Sequence, residues 1–311
     1  IGEVKKIQIL FEPSRKLRDG FLFYLFLIMI TMHPALSKKQ SDAFIQNGYT
    51  ILPNILLPSL LQKLRQLFDD KIYSTDTTDK VVNTVNGKNY VSNVEHLFKS
   101  ENLACLELLG SPFILETAET ICGADFFLIQ EFGVIKMLGD NTEVLWHQDM
   151  LHQRTGNCFT MGIYLDDANA GDGCLRVVPK SHTSGQDICT LKQQPYIEVP
   201  VKAGDILIHD MMLAHSSGLL QHNSLRRVLY FEFLSFKQAV GEGIYSEEQL
   251  YQRMRLIQLA IAYYNQQHPA EKKFEWKNTL AVPAESVDSV HEILSDIHRA
   301  KSLGKPSAYC F

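Results

Sequence analysis

No run of about 20 apolar residues, the length a membrane-spanning helix needs, occurs in this chain of 311 residues. Lysine and arginine are nowhere gathered into a stripe. The formal net charge is -5 and the pI about 6.1, so the electrostatic footprint of a nucleic-acid binder is missing. None of the six cysteines (Cys105, Cys122, Cys158, Cys174, Cys189, Cys310) stands in a C-x-x-C pair. That argues against a structural zinc site and, in a chain this long, against a disulfide framework. The cysteines read instead as small buried apolar residues in a reducing cytosol, which makes the cytoplasm the expected compartment. Internal repeats and low-complexity tracts are also missing.

What is there is ordinary globular composition, 45% hydrophobic and 21% charged, enough for one large domain or two small ones. The first residues stand apart. Lys5, Lys6, Arg15, Lys16 and Arg18 precede an apolar run from Phe21 to Met32, and Ala35-x-Ser37 has the form of a cleavage site. Residues 1–31 are therefore expected to lie outside the catalytic fold. They are either upstream translated sequence or a leader directing export or anchoring. Residues 32–311 are expected to form a single domain.

Within that domain the pattern changes twice. Ser37-Lys38-Lys39-Gln40 has capping-box spacing, and Gly48 stands where a helix C-cap belongs. Tyr49–Leu52 reads as a short strand. Pro58–Phe68 and Pro112–Cys122 read as helices, so 37–123 is expected to be helical in the main. From 125 to 236 the segments are short and rich in Val, Ile, Leu, Phe and Tyr: Phe126–Met137, Phe159–Leu165, Leu175–Pro179, Tyr196–Val201, Asp205–His209 and Val228–Phe236. Gly, Asn and Asp clusters separate them, the punctuation of a sandwich or barrel, and a double-sheet jelly roll accommodates this many strands. Helical spacing returns at Ser246–Asn265 and Glu285–Ala300, giving C-terminal helices over 246–303. The expected fold is mainly β with flanking helices around a double-stranded β-helix, or cupin-like, core.

Two segments carry chemistry. In Trp146-His147-Gln148-Asp149 the histidine and the carboxylate are two apart, so on a strand they share a face and can bind one metal side by side. A third ligand from a distant strand completes a 2-His-1-carboxylate site with positions left open. With 11 histidines, one His-x-Asp or His-x-Glu is about what chance supplies. The tripeptide alone is weak. The second segment runs from a turn at Ala203-Gly204-Asp205 through an apolar strand to His215-Ser216-Ser217-Gly218, and then to Arg226-Arg227 at the head of Val228–Phe236. A histidine at one strand end, with an arginine entering the neighbouring strand, can set a cation behind a metal. The distal carboxylate of a 2-oxo diacid asks for such a bidentate, permanently charged fork.

With WHQDM, GDGCLRVVPKSH, AGDILIHDMMLAHSSG and RRVLYFEF in this order, and SKKQSDAFIQNGYTILPN before them, the chain resembles the phytanoyl-CoA dioxygenase (PhyH) family of iron(II)/2-oxoglutarate oxygenases. The likeness runs from about Ser37 to Phe236. It implies iron ligands at His147, Asp149 and His215, and a cosubstrate arginine at Arg226 with Ser217 beside it. Arg227 is the neighbouring alternative, but adjacent strand residues face opposite ways. Gln130 shares a face with Phe132 and is placed to border the cosubstrate pocket. Some family members carry a Trp near Gly162 and a Lys near Asn93, against the cosubstrate. Both differ here, although Asn93 retains a hydrogen-bond donor.

The resemblance further implies iron(II), 2-oxoglutarate and O2, with ascorbate supporting activity, and a small-molecule substrate hydroxylated at an unactivated C–H with release of succinate and CO2. Related halogenases replace the carboxylate ligand to make room for chloride, so Asp149 points to hydroxylation. Two rivals remain open. One is a jelly-roll metalloenzyme that does not use 2-oxoglutarate, such as a cupin-type dioxygenase or isomerase; the other is a non-catalytic binding protein on the same fold. Among the remaining histidines, His209 reads as a core residue or a support to the ligands, His182 as structural or substrate-side, and His152 as equally placed for substrate or surface. His222, His268, His291 and His298 read as surface residues. The prime substrate and the oligomeric state are not legible.

Overall fold

A computed structural model describes residues 36–150, 154–280, 282, 284–297 and 308–310. The expectations for residues 1–31, His152 and His298 lie outside these. The chain enters on α1 (Lys38–Asn47), where Ser37 and Gln40 form the reciprocal capping box that their spacing announces. Gly48 ends it at φ +85°, a left-handed conformation favouring glycine. A Cβ there would stand 2.6 Å from Nδ1 of His182, so the glycine also makes room for that ring. β1 (Tyr49–Leu52) and α2 (Pro58–Tyr73) follow, then β2 (Lys80–Val85) and β3 (Lys88–Glu95).

This hairpin corrects the expectation that 37–123 is helical. Its turn is Asn86-Gly87, both at positive φ, the dipeptide that favours a tight turn matched to strand twist. α3 (Ala104–Leu109) and α4 (Pro112–Cys122) complete the N-terminal part.

The β core comprises β4 (Phe126–Met137), β5 (Val144–Gln148), β6 (Cys158–Tyr164), β7 (Leu175–Val177), β8 (Ile197–Val199), β9 (Ile206–Asp210), β10 (His215–Ser217) and β11 (Leu225–Ser235), with a short α5 (Ile188–Leu191) between β7 and β8. Then come α6 (Phe236–Glu242), α7 (Glu247–Gln267), α8 (Val290–Ile297) and a last short strand, β12 (Ala308–Tyr309). α8 begins five residues later than expected, and no spacing announced β12.

All described pairings between strands are antiparallel. One sheet has the order β1-β9-β6-β11-β4-β3-β2 and the other β12-β5-β10-β7-β8. The two make an antiparallel jelly roll with flanking helices. The large sheet is apolar on both faces, which is why β6, β9 and β11 are near-continuous apolar runs rather than alternating ones. Its outer face packs under the helices, through Leu64, Phe68, Leu106, Phe231, Leu256 and Ile257 among others. Its inner face meets the small sheet through Tyr164, Val177, Val199, Leu207, Val228 and Tyr230. A bulge where β4 meets Glu232 and Phe233 of β11 reverses strand parity. Phe126 and Leu128 thus join the outer core, while Phe132 and Val134 face inward.

The outer layer holds one buried carboxyl with a consequence for stability. Glu131 on β4 is 6% exposed, 3.6 Å from Arg253 on α7. Burial pushes its carboxyl up to about 7, with Arg253 opposing. An unfolded chain releases this proton near pH 4.3. Between that pH and about 7 the folded chain holds more protons, so this group's contribution to stability is lost as pH rises through the window. Its full extent is on the order of 3 kcal/mol. Glu131→Gln is therefore expected to flatten the fall in melting temperature between pH 5 and pH 8. Parallel melting curves of the metal-free wild type and variant check this.

One sequence-based expectation fails on the cysteines. Cys105, Cys122, Cys158 and Cys174 are free and buried, as expected, but Cys189 and Cys310 form a disulfide across 121 residues. Spacing arguments are silent on a bond between the helix after β7 and the residue after β12. Among the described residues, no helix is long and apolar enough to cross a membrane.

Candidate active site

β5 and β10 lie side by side in the small sheet, with His147 and His215 directly opposite each other. Their rings stand 4.1 Å apart, centroid to centroid. Each ring is oriented by the backbone two residues earlier. His147 Nδ1 lies 2.8 Å from the carbonyl oxygen of Leu145, and His215 Nδ1 2.9 Å from that of Leu213. A carbonyl only accepts, so both rings carry the proton on Nδ1 and turn a bare Nε2 lone pair to the same point, the tautomer a metal ligand requires.

Asp149 follows β5 immediately, its N–H donating to the carbonyl of Met211 at 2.9 Å. Its Oδ1 is 3.4 Å from Nε2 of His147 and 3.5 Å from Nε2 of His215. The three donor atoms lie within 4.8 Å of one another. The other carboxylate oxygen is occupied. Oδ2 accepts from the Thr160 hydroxyl at 2.8 Å and from His209 Nε2 at 3.1 Å. Thr160 and His209 face each other across β6 and β9, so one register places both donors. This division presents Asp149 as a one-oxygen ligand.

The electrostatics fit that role. Burial and the neighbouring His147 push the His215 imidazole down to about 3, against the pull of Asp149, so the ring is neutral at physiological pH. Burial opposes ionisation of Asp149. Nevertheless the neighbouring His215 and the hydrogen bond from His209 hold its carboxyl well below the usual carboxylate range. Two imidazoles and one carboxylate on one side of a point, with the cavity side open, are the donor set of a non-haem iron(II) site.

Behind this cluster lies a small cavity of about 60 Å³, lined by His147, Asp149, His215, Ser217, Arg226 and Tyr230 among others. Arg226 is 2% exposed; one guanidinium nitrogen donates to the carbonyl of Gly173, and its Nε has no partner. Among the described residues no carboxylate lies within ion-pair distance of it. Arg227, one residue on, points to the outer face and pairs with Asp166 at 2.9 Å and Asp69 at 2.6 Å. Strand alternation thus separates two adjacent arginines into one paired with carboxylates and one with no anionic partner among the described residues. Lys136, opposite Arg226 on β4, is also buried. Its Nζ donates to the carbonyls of Thr142 at 2.8 Å and Ser217 at 3.4 Å, and burial together with Arg226 pushes it down to about 7.

A larger cavity of about 420 Å³ opens from the same two ligands, His147 and Asp149. Asn93, Gln130, Phe132, Lys136, Glu232 and Tyr309 are among its walls. Gln130 and Asn93 therefore border this larger space and not the pocket around Arg226. The departure at Gly162 has a local reason. A Cβ there would meet the Tyr230 ring at 3.0 Å, so Tyr230 already fills that side of the barrel.

His182 is structural, its Nε2 3.1 Å from the carbonyl of Ile45. His222 and His291 are exposed and His268 is half-buried against Glu107 and Glu271. Sequence reasoning missed Thr160, Lys136 and Tyr309. Thr160 and Lys136 show only as inward-facing strand positions, and Tyr309 had no signal.

An antiparallel jelly roll with two histidines and one carboxylate converging on one buried point has the donor set of a non-haem iron enzyme. The family profile described as phytanoyl-CoA dioxygenase (PhyH) matches residues 44–228, more than half of the chain, and the chain belongs to that family. No curated protein matches the chain in sequence. Among solved structures, AviO1 from Streptomyces viridochromogenes superposes with a TM-score of 0.59 at 23% identity, over 67% of this chain and 98% of its own. EctD from S. alaskensis, solved with 2-oxoglutarate and 5-hydroxyectoine, gives 0.57 at 18% identity, over 67% and 79%. EvdMO1 gives 0.58 at 24% identity over 64% of this chain, which spans half the length of that protein. At these identities the likeness is one of fold.

Proposed function

We propose that this chain hydroxylates an unactivated C–H of a small molecule with iron(II), O2 and 2-oxoglutarate, giving succinate and CO2. His147, Asp149 and His215 hold the metal, and Arg226 with Ser217 receives the distal carboxylate of the cosubstrate. The observation that carries the reading is the juxtaposition of a converging two-histidine, one-carboxylate donor set with a buried arginine lacking an anionic partner, both lining one cavity. A buried guanidinium is costly unless paired, and a dicarboxylate anchored at the metal supplies the charge.

When bound together, iron(II) and 2-oxoglutarate supply the oxygen activation, which is chemistry no side chain performs. The protein's own work is positional. The carbonyls of Leu145 and Leu213 fix the imidazole tautomers, and Thr160 and His209 hold the Asp149 carboxylate so that Oδ1 faces the cavity. Phe132, Val134 and Tyr230 wall the cosubstrate pocket with apolar surface that excludes water. Gln130 and Asn93 border the larger cavity, where their amides are placed to orient the prime substrate.

Incubation with iron(II), 2-oxoglutarate and ascorbate against a panel of small molecules tests the proposal. Substrate-stimulated succinate with a matching hydroxylated product is expected. Oxygen uptake that does not require 2-oxoglutarate would support the cupin-type alternative instead.

A further inference from the structure

The last described residues of the chain reach the metal cluster. β12 pairs with the free edge of β5, aligning Ala308 with Gln148 and Tyr309 with His147. The Cys310 N–H donates to the carbonyl of Trp146 at 3.1 Å. The Tyr309 ring lies nearly parallel on the His147 imidazole, 4.9 Å between centroids at 13°, and forms part of the wall of the larger cavity. One residue on, Cys310 is bonded to Cys189, an exposed residue of the four-residue α5 whose Ile188 and Leu191 are buried.

Two residues of strand bury little surface, and a two-residue pairing is too short to be stable alone. The disulfide ties this strand covalently to α5, between β7 and β8.

We propose that β12 is a disulfide-latched wall of the active-site cavity, in which Tyr309 holds the His147 ring in place and reduction of Cys189–Cys310 releases the strand. Tyr309 is then a positioning residue. It stacks on the outer face of His147 while the Leu145 carbonyl fixes the ring's edge, so the two contacts together set the direction of Nε2.

Release requires a reductant of the dithiol class. Its thiolate attacks Sγ of Cys189, which is exposed, and Cys310 departs as a thiolate that takes up a proton. The second thiol of the reductant then displaces Cys189, leaving two protein thiols and one cyclic disulfide. Buried Cys310 packs with Ile188, Leu191 and Trp146, so the strand has an apolar seat to return to on reoxidation.

The test uses the full metal-free chain, so that it stands or falls separately from the 2-oxoglutarate reading. Peptide mapping under non-reducing conditions should show Cys189 linked to Cys310. Hydrogen–deuterium exchange should then quicken at least about tenfold in residues 144–148 on addition of a dithiol, with β4 and β11 unchanged. Cys189→Ser and Cys310→Ser should each show the fast exchange without reductant. For Tyr309, cobalt(II) is the probe. Tyr309→Ala should raise its dissociation constant about tenfold, and Tyr309→Phe, which keeps the stacked ring, should leave it unchanged. Free thiols at both cysteines in the unreduced chain, or exchange in 144–148 that ignores reduction, would overturn the latch. Equal cobalt affinity in Tyr309→Ala and wild type would overturn the positioning role.

Discussion

Asp149→Ala is expected to lower iron(II) affinity by more than about 100-fold and to abolish succinate formation, because it removes the one anionic donor from a three-donor site. The effect should exceed that of removing a supporting residue. Thr160→Val leaves the carboxylate in place but removes one of the two donors to Oδ2, the hydroxyl at 2.8 Å, while His209 remains. A loss of roughly 10-fold in metal affinity is the expected scale for such a partner. Thr160→Ser, which keeps the hydroxyl, should recover most of it. Metal titration of the three variants checks the order. A Thr160→Val effect as large as that of Asp149→Ala would mean that the carboxylate does not bind through Oδ1.

Arg226→Met should raise the dissociation constant for 2-oxoglutarate on the order of 100-fold, about 3 kcal/mol, the worth of two hydrogen bonds to a charged group. The control is its neighbour. Arg227→Met breaks the pairs with Asp166 and Asp69 on the outer face, so it should lower the melting temperature by a few degrees and leave 2-oxoglutarate affinity unchanged. The contrast separates a ligand-binding arginine from a structural one at adjacent positions. The opposite pattern, with Arg227 carrying the affinity, would remove the cosubstrate pocket from the inner face of β11.

The site was legible because its decisive residues obey local rules. His147 and Asp149 stand two apart, and alternation lets only one of Arg226 and Arg227 face inward, the resemblance pointing to Arg226. The capping box at Ser37 and the turn cluster around Gly204 likewise follow from side-chain and backbone chemistry within a few residues. Long-range contacts were not legible. Thr160 contributes by lying opposite His209 across a strand pairing, and nothing near position 160 announces a carboxylate partner. Tyr309 meets His147 across 162 positions in the chain, through an edge pairing of two residues. The Cys189–Cys310 bond follows from that placement, so reading all six cysteines as reduced fails for those two and holds for the other four.

The β2–β3 hairpin is a different case. Asn86-Gly87 between Val85 and the Lys88–Glu95 strand is a readable turn signal, obscured by the helices on either side of it. The placement of Gln130 also needed the structure. It shares a face with Phe132, as alternation predicts, but only the geometry shows that its position borders the larger cavity and not the pocket around Arg226.

We propose that one iron(II) and one 2-oxoglutarate share the site built from His147, Asp149, His215 and Arg226. Anaerobic titration of the iron(II)-loaded chain with 2-oxoglutarate, followed by the visible absorption of the iron–2-oxo-acid chelate, tests it most directly. One equivalent per iron is predicted, with the band absent in Asp149→Ala and its midpoint moved to far higher 2-oxoglutarate in Arg226→Met. No band in the wild type, or one indifferent to both substitutions, would contradict it.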